Sequence, residues 1–206
     1  MRKYFLSLIL ALGVLIGHQV SRAAEPTPAA TRTAIFAGGC FWCMQPPYDK
    51  ARGVVKTVVG YSGGSAEDAN YEKVSAHRTK HREVIEVTYD PAQISYDQLL
   101  DIFWRHINPT QADGQFHDIG LSYQAAIFYG NEEEKKAAEA SKEKLAKSGK
   151  FSKPIVTEIL AAQPFYPAEE YHQKYYLKNA ADYERYHVGS GRASFLEKAW
   201  GAEAKK

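Results

Sequence analysis

Apolar and polar residues alternate along this chain in two patterns, one typical of short strands and the other of amphipathic helices. Runs that are β-branched or alternate in polarity predict five strands, at 33–37, 53–60, 82–89, 123–129 and 155–161. Helical spacing of apolar residues predicts five helices, at 44–50, 95–106, 131–147, 169–179 and 193–204. Glycine and proline predict loops or turns at 61–69, 107–122 and 164–167.

Two of the predicted helices begin with a capping signal. Ser95 is followed three residues later by Gln98, which is the pattern of a capping box. Asn131 stands in the same relation to Glu134 at the start of the charged helix. These signals make the starts of both helices the best-defined boundaries in the prediction.

The order of the elements predicts the fold class. Strands and helices follow one another as β-α-β, β-α-β and α-β, which matches an α+β protein with a split βαβ, ferredoxin-like core. We expect additional helices around this core and a long irregular C-terminal region. A single domain should cover 33–206, preceded by a flexible leader at 24–32.

Residues 1–23 carry the pattern of a signal peptide. Arg2 and Lys3 precede an apolar run at 5–16, which has the length of a signal-peptide core and is short for a bilayer span. Ser21 and Ala23 provide the small residues that a signal peptidase reads. We therefore expect export, to the periplasm, with cleavage after Ala23 or the next alanine; an uncleaved membrane anchor is the alternative.

The charge balance argues against two classes of partner. The full chain has 26 basic and 24 acidic residues, and loss of residues 1–23 leaves 23 basic and 24 acidic ones, a net charge of −1. Nucleic acids and anionic membranes attract proteins with a marked excess of positive charge. We therefore expect no nucleic-acid partner and, after signal cleavage, no membrane partner.

Both cysteines of the chain, Cys40 and Cys43, lie in one short segment after Gly38 and Gly39. The preceding strand and the following helix place Cys40 near a helix N-terminus, which predicts a lowered thiol pKa. Cys43 is expected on the same side of the first helical turn. A Cys40–Cys43 bridge would enclose almost no chain, so it suits a redox switch better than a stabilising crosslink. Two buried apolar cysteines, or half of a zinc site, are the alternatives.

Glu83 is a carboxylate at an apolar position. On the predicted strand 82–89 it shares a face with Ile85, Val87 and Tyr89, where loss of hydration should raise the carboxyl pKa. A glutamic acid that keeps its proton near neutral pH is a proton donor. The alternative is an edge glutamate that faces solvent and pairs with a neighbouring basic residue, Arg82 or His81.

The tyrosines and histidines add two further expectations. Tyr71 and Tyr123 lie next to loops, where a phenolic hydroxyl can face a pocket. His77 and His81 are four residues apart, yet the segment leads into a strand and offers no compact second pair of ligands. We therefore expect no metal site.

Several motifs together resemble the A-type methionine sulfoxide reductases, or peptide-methionine (S)-S-oxide reductases. The strongest is G-C-F-W at 39–42. The others, in order, are G-Y-S-G-G at 60–64, N-Y-E-K-V at 70–74, H-R-E-V at 81–84, Y-D-P at 89–91, D-I-G-L-S-Y at 118–123 and P-F-Y-P-A-E-E-Y-H-Q at 164–173. The resemblance extends from residue 33 to about residue 192, which is nearly the whole predicted domain.

The resemblance implies a role for each matching residue. Cys40 would be the nucleophile, and Glu83 would protonate the sulfoxide oxygen. Tyr71 and Tyr123 would hydrogen-bond that oxygen, with Asp118 nearby. The apolar pocket for the substrate's S-methyl group would be formed by Phe41 and Trp42.

The chain departs from the family pattern at three points. Lys80 replaces a glycine that commonly precedes the H-x-E histidine, and His117 replaces an asparagine that often precedes the loop aspartate. Cysteines that resolve the intermediate in many relatives are missing near the C-terminus, which leaves Cys43 as the internal candidate.

The resemblance also implies a reaction without a cofactor. The S epimer of methionine sulfoxide, free or in proteins, would be reduced through a sulfenic acid on Cys40 and a disulfide with Cys43. A thioredoxin-like partner would then reduce the disulfide, and the enzyme is expected to be a monomer. A thioredoxin-like disulfide oxidoreductase and a metal-binding module are the competing hypotheses.

Overall fold

The structure is a computed structural model that describes residues 30–205. The predicted signal peptide and most of the predicted leader lie outside the described residues. Eight strands are present: β1 Arg32–Ala37, β2 Val54–Ser62, β3 Arg82–Tyr89, β4 Gly114–Gln115, β5 Asp118–Ile119, β6 Ala126–Tyr129, β7 Glu158–Ala161 and β8 Phe165–Pro167. The α-helices are α1 Phe41–Asp49, α2 Tyr71–Ser75, α3 Tyr96–Arg105, α4 Glu132–Lys147, α5 Tyr175–Lys178, α6 Ala180–Gly189 and α7 Arg192–Trp200.

Six strands form one mixed sheet in the order β7-β6-β1-β3-β2-β8. Neighbouring strands are antiparallel except for β6 and β7, which are parallel. The central strands β1 and β3 pair directly, so the end of β1 that leads to the cysteines lies beside the start of β3. Strands β4 and β5 form a separate two-stranded ribbon. The α+β class expected from the sequence is confirmed.

The main hydrophobic core lies between this sheet and the helices α1, α3 and α4. Phe36 of β1 stacks on Tyr48 of α1 and on Phe103 of α3, with both pairs of ring centroids 5.4 Å apart. Each of these three side chains is fully buried. Burial of such rings contributes about 1.5–3 kcal/mol each, so this core fixes α1 against the sheet.

The predictions based on local signals are confirmed. β3 occupies 82–89 as expected. The capping box is present in α3, since the Ser95 hydroxyl accepts from the Gln98 N–H at 3.2 Å and the Gln98 side chain accepts from the Ser95 N–H at 2.8 Å. Asn131 caps α4 through the Glu134 N–H at 2.9 Å.

The helix predicted at 169–179 is wrong. The chain forms a short 3₁₀ turn at Glu170–His172, and Lys174 then adopts a left-handed conformation with φ of 55° before α5. The cause is the Gln173 side chain, which accepts from the Val59 N–H and donates to the Val59 carbonyl at 3.0 and 2.9 Å. This side chain pairs with the buried edge of β2 next to the part that pairs with β8, which a continuous helix would prevent.

Other boundaries differ as well. The helix predicted to begin at 44 already begins at Phe41, and the turn expected at 164–167 contains β8, which pairs with β2. The C-terminal region, expected to be long and irregular, is irregular only in part, because α5, α6 and α7 occupy most of 175–200. Between residues 30 and 205, no helix is long and apolar enough to cross a bilayer.

Candidate active site

A tight turn at Gly38 and Gly39 places Cys40 at the start of α1. Gly39 has φ of 79°, and a Cβ atom there would lie 2.5 Å from the Cβ of Gln115. A Cβ on Gly38 would lie 2.4 Å from the sulfur of Met44. Only glycine fits at these two positions. The buried Arg192 guanidinium holds the turn by donating to the Gly38 carbonyl at 2.9 Å.

Cys40 is the N-cap residue of α1, and Cys43 lies on its first turn. The Cys43 N–H donates to the Cys40 carbonyl at 3.1 Å, and both cysteines are buried with free thiols. The two thiols are near enough for their hydrogen bonding to affect the pKa of each. The expected placement of Cys43 beside Cys40 is confirmed.

The expectation that the Cys40 thiol has a lowered pKa is wrong for this state of the protein. Burial raises its pKa well above the ordinary value of 9.0, and hydrogen bonding with Cys43 raises it further. The same hydrogen bonding lowers the pKa of Cys43, helped by the charge of Arg192. The helix N-terminus is a weak partial charge, and the loss of hydration at a cysteine only 6% exposed outweighs it.

Glu83 lies beside the cysteines at the start of β3, and only 2% of its surface is exposed. Its Oε2 accepts a hydrogen bond from the backbone N–H of Phe41, the residue next to Cys40, at 3.0 Å. Burial raises the Glu83 pKa well above 4.5, and the nearby Cys40 raises it further. The expectation of a desolvated acid is confirmed.

The alternative of an edge glutamate paired with Arg82 or His81 is wrong. Arg82 forms its ion pair with Glu158. His81 accepts from the Gly64 N–H at 3.2 Å and contacts the Ser65 carbonyl at 2.8 Å. Neither basic residue is available to neutralise Glu83, which is consistent with its raised pKa.

The two predicted tyrosines and Asp118 lie near Cys40 and Glu83. Burial raises the pKa of Tyr71 to about 12, with further contributions from Glu83 and Cys40. Burial also raises the pKa of Tyr123, followed by the charges of Glu83 and Asp118. Asp118 in turn raises the pKa of both Cys40 and Glu83. All five side chains predicted to be catalytic thus lie near enough for their charges to affect one another's pKa.

Aromatic rings form one wall beside Cys40. Phe41 is fully buried, and its ring centroid lies 5.0 Å from that of His172. Trp42 is half-buried, stacks on Tyr175 at 3.9 Å and donates its indole N–H to Nδ1 of His172 at 3.0 Å. Burial lowers the His172 pKa to about 4, so this ring is neutral at pH 7 and can accept that bond. The wall is therefore rigid and largely apolar.

The residue-by-residue predictions missed Tyr186, His187 and Arg192. The Tyr186 hydroxyl donates to Asp118 and lies near enough to Cys40 to lower the pKa of that thiol. His187 Nδ1 lies 3.6 Å from the Cys43 sulfur. Local patterns do not mark these residues, since they reach the site only through long-range folding. The one available signal was S-G-R at 190–192, an arginine after a glycine in an otherwise ordinary helical stretch.

The two histidines considered for a metal site have other partners. His77 Nδ1 lies 3.1 Å from the Ser122 hydroxyl, and His81 binds the backbone as described above. In the part of the chain that the structure describes, no group of three or more His, Cys, Asp or Glu residues could hold a metal ion.

Comparison with known proteins agrees with this arrangement. Residues 32–204 match the family model described as peptide methionine sulfoxide reductase. Peptide methionine sulfoxide reductase MsrA of Bacillus subtilis is 55% identical over 170 residues, which is 82% of this chain and 96% of the relative.

Solved structures give the same result. Reduced Mxr1 from Saccharomyces cerevisiae superposes with a TM-score of 0.70 at 32% identity, covering 76% of this chain and 90% of Mxr1. Mxr1 in complex with Trx2 gives a TM-score of 0.51 at 27% identity, covering 73% of this chain and 88% of Mxr1. The resemblance found in the sequence is confirmed: the chain belongs to the peptide methionine sulfoxide reductase family and is an enzyme of that class.

Proposed function

We propose that this enzyme reduces the S epimer of methionine sulfoxide, free or in proteins, with Cys40 as nucleophile and Glu83 as proton donor. One observation carries the proposal. Glu83 is a fully buried acid held by the Phe41 N–H, and so it lies beside the cysteine at the end of the same turn. A sulfoxide sulfur is a poor electrophile unless its oxygen receives a proton. Cys40 therefore supplies the nucleophile, and Glu83 supplies the proton, that the reaction needs.

In the first step the Cys40 sulfur attacks the sulfoxide sulfur while Glu83 protonates the sulfoxide oxygen. The Cys40 thiol proton then passes to the Glu83 carboxylate. The hydroxyl group then passes from the substrate sulfur to the Cys40 sulfur, and the transient bond between the two sulfurs breaks. The products are methionine and a sulfenic acid on Cys40, so the cysteine is oxidised by two electrons and the sulfoxide is reduced. Tyr71 and Tyr123 keep their hydroxyl protons because their pKa values are raised, and we assign them as hydrogen-bond donors to the sulfoxide oxygen. Asp118 orients Tyr186 beside Cys40.

The apolar wall provides the proposed site for the substrate's methyl group. Phe41 and Trp42 lie directly after Cys40 on α1, and Tyr175 and His172 hold the indole of Trp42 in place. A methyl group against these rings would point the sulfoxide oxygen toward Glu83 and the tyrosines. This orientation accounts for selectivity between two epimers that differ only in the configuration at sulfur.

In the second step Cys43 attacks the sulfenic acid on Cys40, and a disulfide and water are formed. The placement of Cys43 on the first turn of α1 supports this step, since its thiol already lies beside Cys40. A thioredoxin-like dithiol then reduces the disulfide. The solved complex of Mxr1 with Trx2 supports this class of partner.

Three broader proposals accompany the reaction. We assign the core to the split βαβ, ferredoxin-like type, supported by the strand order β6-β1-β3-β2 and its antiparallel pairing. The enzyme should act as a monomer, as the family resemblance implies. Export to the periplasm rests on residues 1–23, and N-terminal sequencing of the protein purified from cells tests it.

The activity is tested with separated S and R epimers and dithiothreitol as reductant. The S epimer should be converted to methionine and the R epimer left unchanged. Without reductant, the wild-type enzyme should form one equivalent of methionine and end as the disulfide. Cys40→Ser should form none, and Cys43→Ser should form one equivalent and remain a sulfenic acid that dimedone labels.

The role of Glu83 has a matched control on the same strand. Glu83→Gln should slow methionine formation in a single turnover by about 100-fold or more, which is the usual contribution of a general acid. Glu86→Gln, a change on the other face of β3, should leave that rate unchanged. A near-normal rate in Glu83→Gln would remove Glu83 from the mechanism. Efficient turnover of protein disulfides that ignores Glu83 would favour the thioredoxin-like alternative.

A further inference from the structure

A cysteine–histidine pair lies behind the proposed active site. The Nδ1 atom of His187, on α6, is 3.6 Å from the sulfur of Cys43, and the pair is half-buried. This distance is within reach for proton transfer between a thiol and an imidazole. The mechanism described above uses Cys43 as the attacking thiol and assigns no group to take its proton.

Two consecutive residues of α6 each interact with a different cysteine of the pair. Tyr186 interacts with Cys40 and Asp118, whereas His187 interacts with Cys43. The face-to-face arrangement of Tyr183 and His187, with centroids 5.6 Å apart, holds the imidazole in position. The helix therefore presents a hydroxyl to the sulfur that meets substrate and an imidazole to the other sulfur.

His187 and Cys43 also line one cavity of about 500 Å³. Its walls come from α1, α6, α7 and the end of α3, and they include Lys50, His106, Tyr183, Leu196 and Glu197. Phe41 and Glu83, which define the substrate side, do not line this cavity. A proton released at His187 would therefore reach solvent without passing through the proposed substrate site.

The protonation states favour a base at this position. Burial and the charge of Arg192 lower the pKa of His187 below 6.5, so the ring is neutral at pH 7, and Nδ1 accepts when the proton is on Nε2. Hydrogen bonding with the Cys40 thiol lowers the pKa of Cys43 before the reaction. Oxidation of Cys40 consumes that thiol and leaves burial to raise the Cys43 pKa, so Cys43 requires a base in the second step.

We propose that His187 is the general base for Cys43 when this thiol attacks the sulfenic acid on Cys40. The inference rests on the proposed function and names a further catalytic residue for it. Nδ1 takes the proton from the Cys43 sulfur, the Cys40–Cys43 bond forms and the bond between Cys40 sulfur and oxygen breaks. The departing hydroxide becomes water with the proton of Glu83. His187 releases its proton through the cavity, and Glu83 regains one from solvent.

The test separates the two steps in a single turnover. Methionine formation is measured by chromatography, and disulfide formation by the decay of the dimedone-reactive sulfenic acid. His187→Asn keeps a polar acceptor and removes the titration. We expect methionine to form at the wild-type rate while disulfide formation slows by about 100-fold. Glu197→Gln, an exposed change in the same cavity, is the matched control and should leave both rates unchanged.

The pH profile and chemical rescue distinguish a base from a packing residue. The groups that face His187 or share its cavity are Cys43, Lys50, His106, Tyr183, Glu184, Arg192 and Glu197. Disulfide formation in the wild type should be independent of pH between about 6.5 and 8, whereas in His187→Asn its rate should rise with pH as Cys43 ionises. Imidazole added to His187→Ala should restore the rate, since the cavity has room for it.

Two results with the His187 variants would overturn the proposal. A disulfide rate within threefold of wild type in His187→Asn, or a slow rate that imidazole does not restore in a folded His187→Ala, would overturn it. Circular dichroism establishes that each variant is folded. Failure of the wild-type enzyme to form methionine would instead overturn the proposed function, and the two failures are therefore distinguishable.

Discussion

Cys40 and Glu83 hold their protons for the same physical reason. Both are almost completely buried, which raises both pKa values, and Cys40 raises the pKa of Glu83 further because two negative charges in one buried site repel. The resting site therefore carries neutral groups that do not repel an uncharged, strongly polar sulfoxide. When the substrate oxygen accepts the Glu83 proton, the Glu83 carboxylate can take the proton of Cys40. Ionisation of Cys40 then becomes favourable.

The Tyr186 hydroxyl opposes the rise in the pKa of Cys40. Its single O–H proton is donated to Asp118 in the resting state and becomes available to Cys40 when the sulfur ionises, which lowers the thiol pKa. In a Cys43→Ser background, Tyr186→Phe should raise the apparent pKa of Cys40, since the thiolate loses a donor. The measurement is the pH dependence of alkylation by iodoacetamide, in which the midpoint should move upward.

Single turnovers of Tyr186→Phe should also slow, by about tenfold, the low end of what loss of one such hydrogen bond causes. Tyr183→Phe is the matched control, since Tyr183 stacks on His187 and has no hydrogen bond to Cys40. An unchanged alkylation midpoint in Tyr186→Phe would show that this hydroxyl does not set the ionisation of Cys40.

At the same scale, the sequence identified Cys40 and Glu83 because each carries a local signal. The first follows two glycines, and the second breaks the apolar face of a strand. Tyr186 and His187 carry none, because their partners lie 68 and 144 residues away in the chain. Arg192 has only the glycine before it as a signal, and its partner lies 154 residues away. The pKa of Cys40 was predicted in the wrong direction for a related reason, since the depth of its burial depends on the whole fold.

The elements show the same distinction between local and distant causes. The boundaries of β3 and the caps of α3 and α4 follow from patterns within ten residues, and the structure has them as predicted. The segment 169–179 was predicted as a helix from its spacing alone. Its conformation is set instead by Gln173, which pairs with the edge of β2, a strand more than 100 residues earlier.

The capping box of α3 gives a prediction about stability. Ser95→Ala removes the acceptor for the Gln98 N–H and should lower the free energy of unfolding by about 1 kcal/mol. Urea denaturation followed by circular dichroism measures this change. Ser95→Thr keeps a hydroxyl acceptor and should remain close to wild type.

Activity should not follow that loss of stability. None of the proposed site residues lies on α3, so Ser95→Ala should keep its turnover of methionine sulfoxide under conditions where it is folded. A fall in activity without unfolding would mean that α3 transmits changes to α1 through the core that both helices share.

On the scale of the whole molecule, the site is assembled from both ends of the described chain. Strand β8 pairs with β2, the Lys174 N–H donates to the Gln45 side chain at 2.7 Å, and Arg192 holds the Gly38 carbonyl. These contacts close the C-terminal segment over the helix that carries the cysteines. The C-terminal segment therefore contributes to the burial of the cysteines, which links the protonation of the site to global stability.

The titration of Glu83 allows the link between protonation of the site and global stability to be measured. Its pKa in the folded protein is well above the ordinary value of 4.5, because burial disfavours the charged form. Below about pH 4.5 both the folded and the unfolded chain hold the proton, so the group has no effect on stability. As the pH rises, the unfolded chain loses the proton first, and the folded state is destabilised by up to about 1.4 kcal/mol per pH unit until the folded pKa is reached.

Glu83→Gln removes this titration and keeps an oxygen that accepts the Phe41 N–H. The variant should therefore unfold at a higher temperature than the wild type at pH 7, and the difference should shrink toward zero near pH 4. Thermal unfolding across this pH range measures it, with Glu139→Gln, a change at an exposed carboxylate on α4, as the control. The proton that the folded protein retains and the unfolded chain releases is the one proposed for transfer to substrate, so a difference that stays constant with pH would contradict both the raised pKa of Glu83 and its use as an acid.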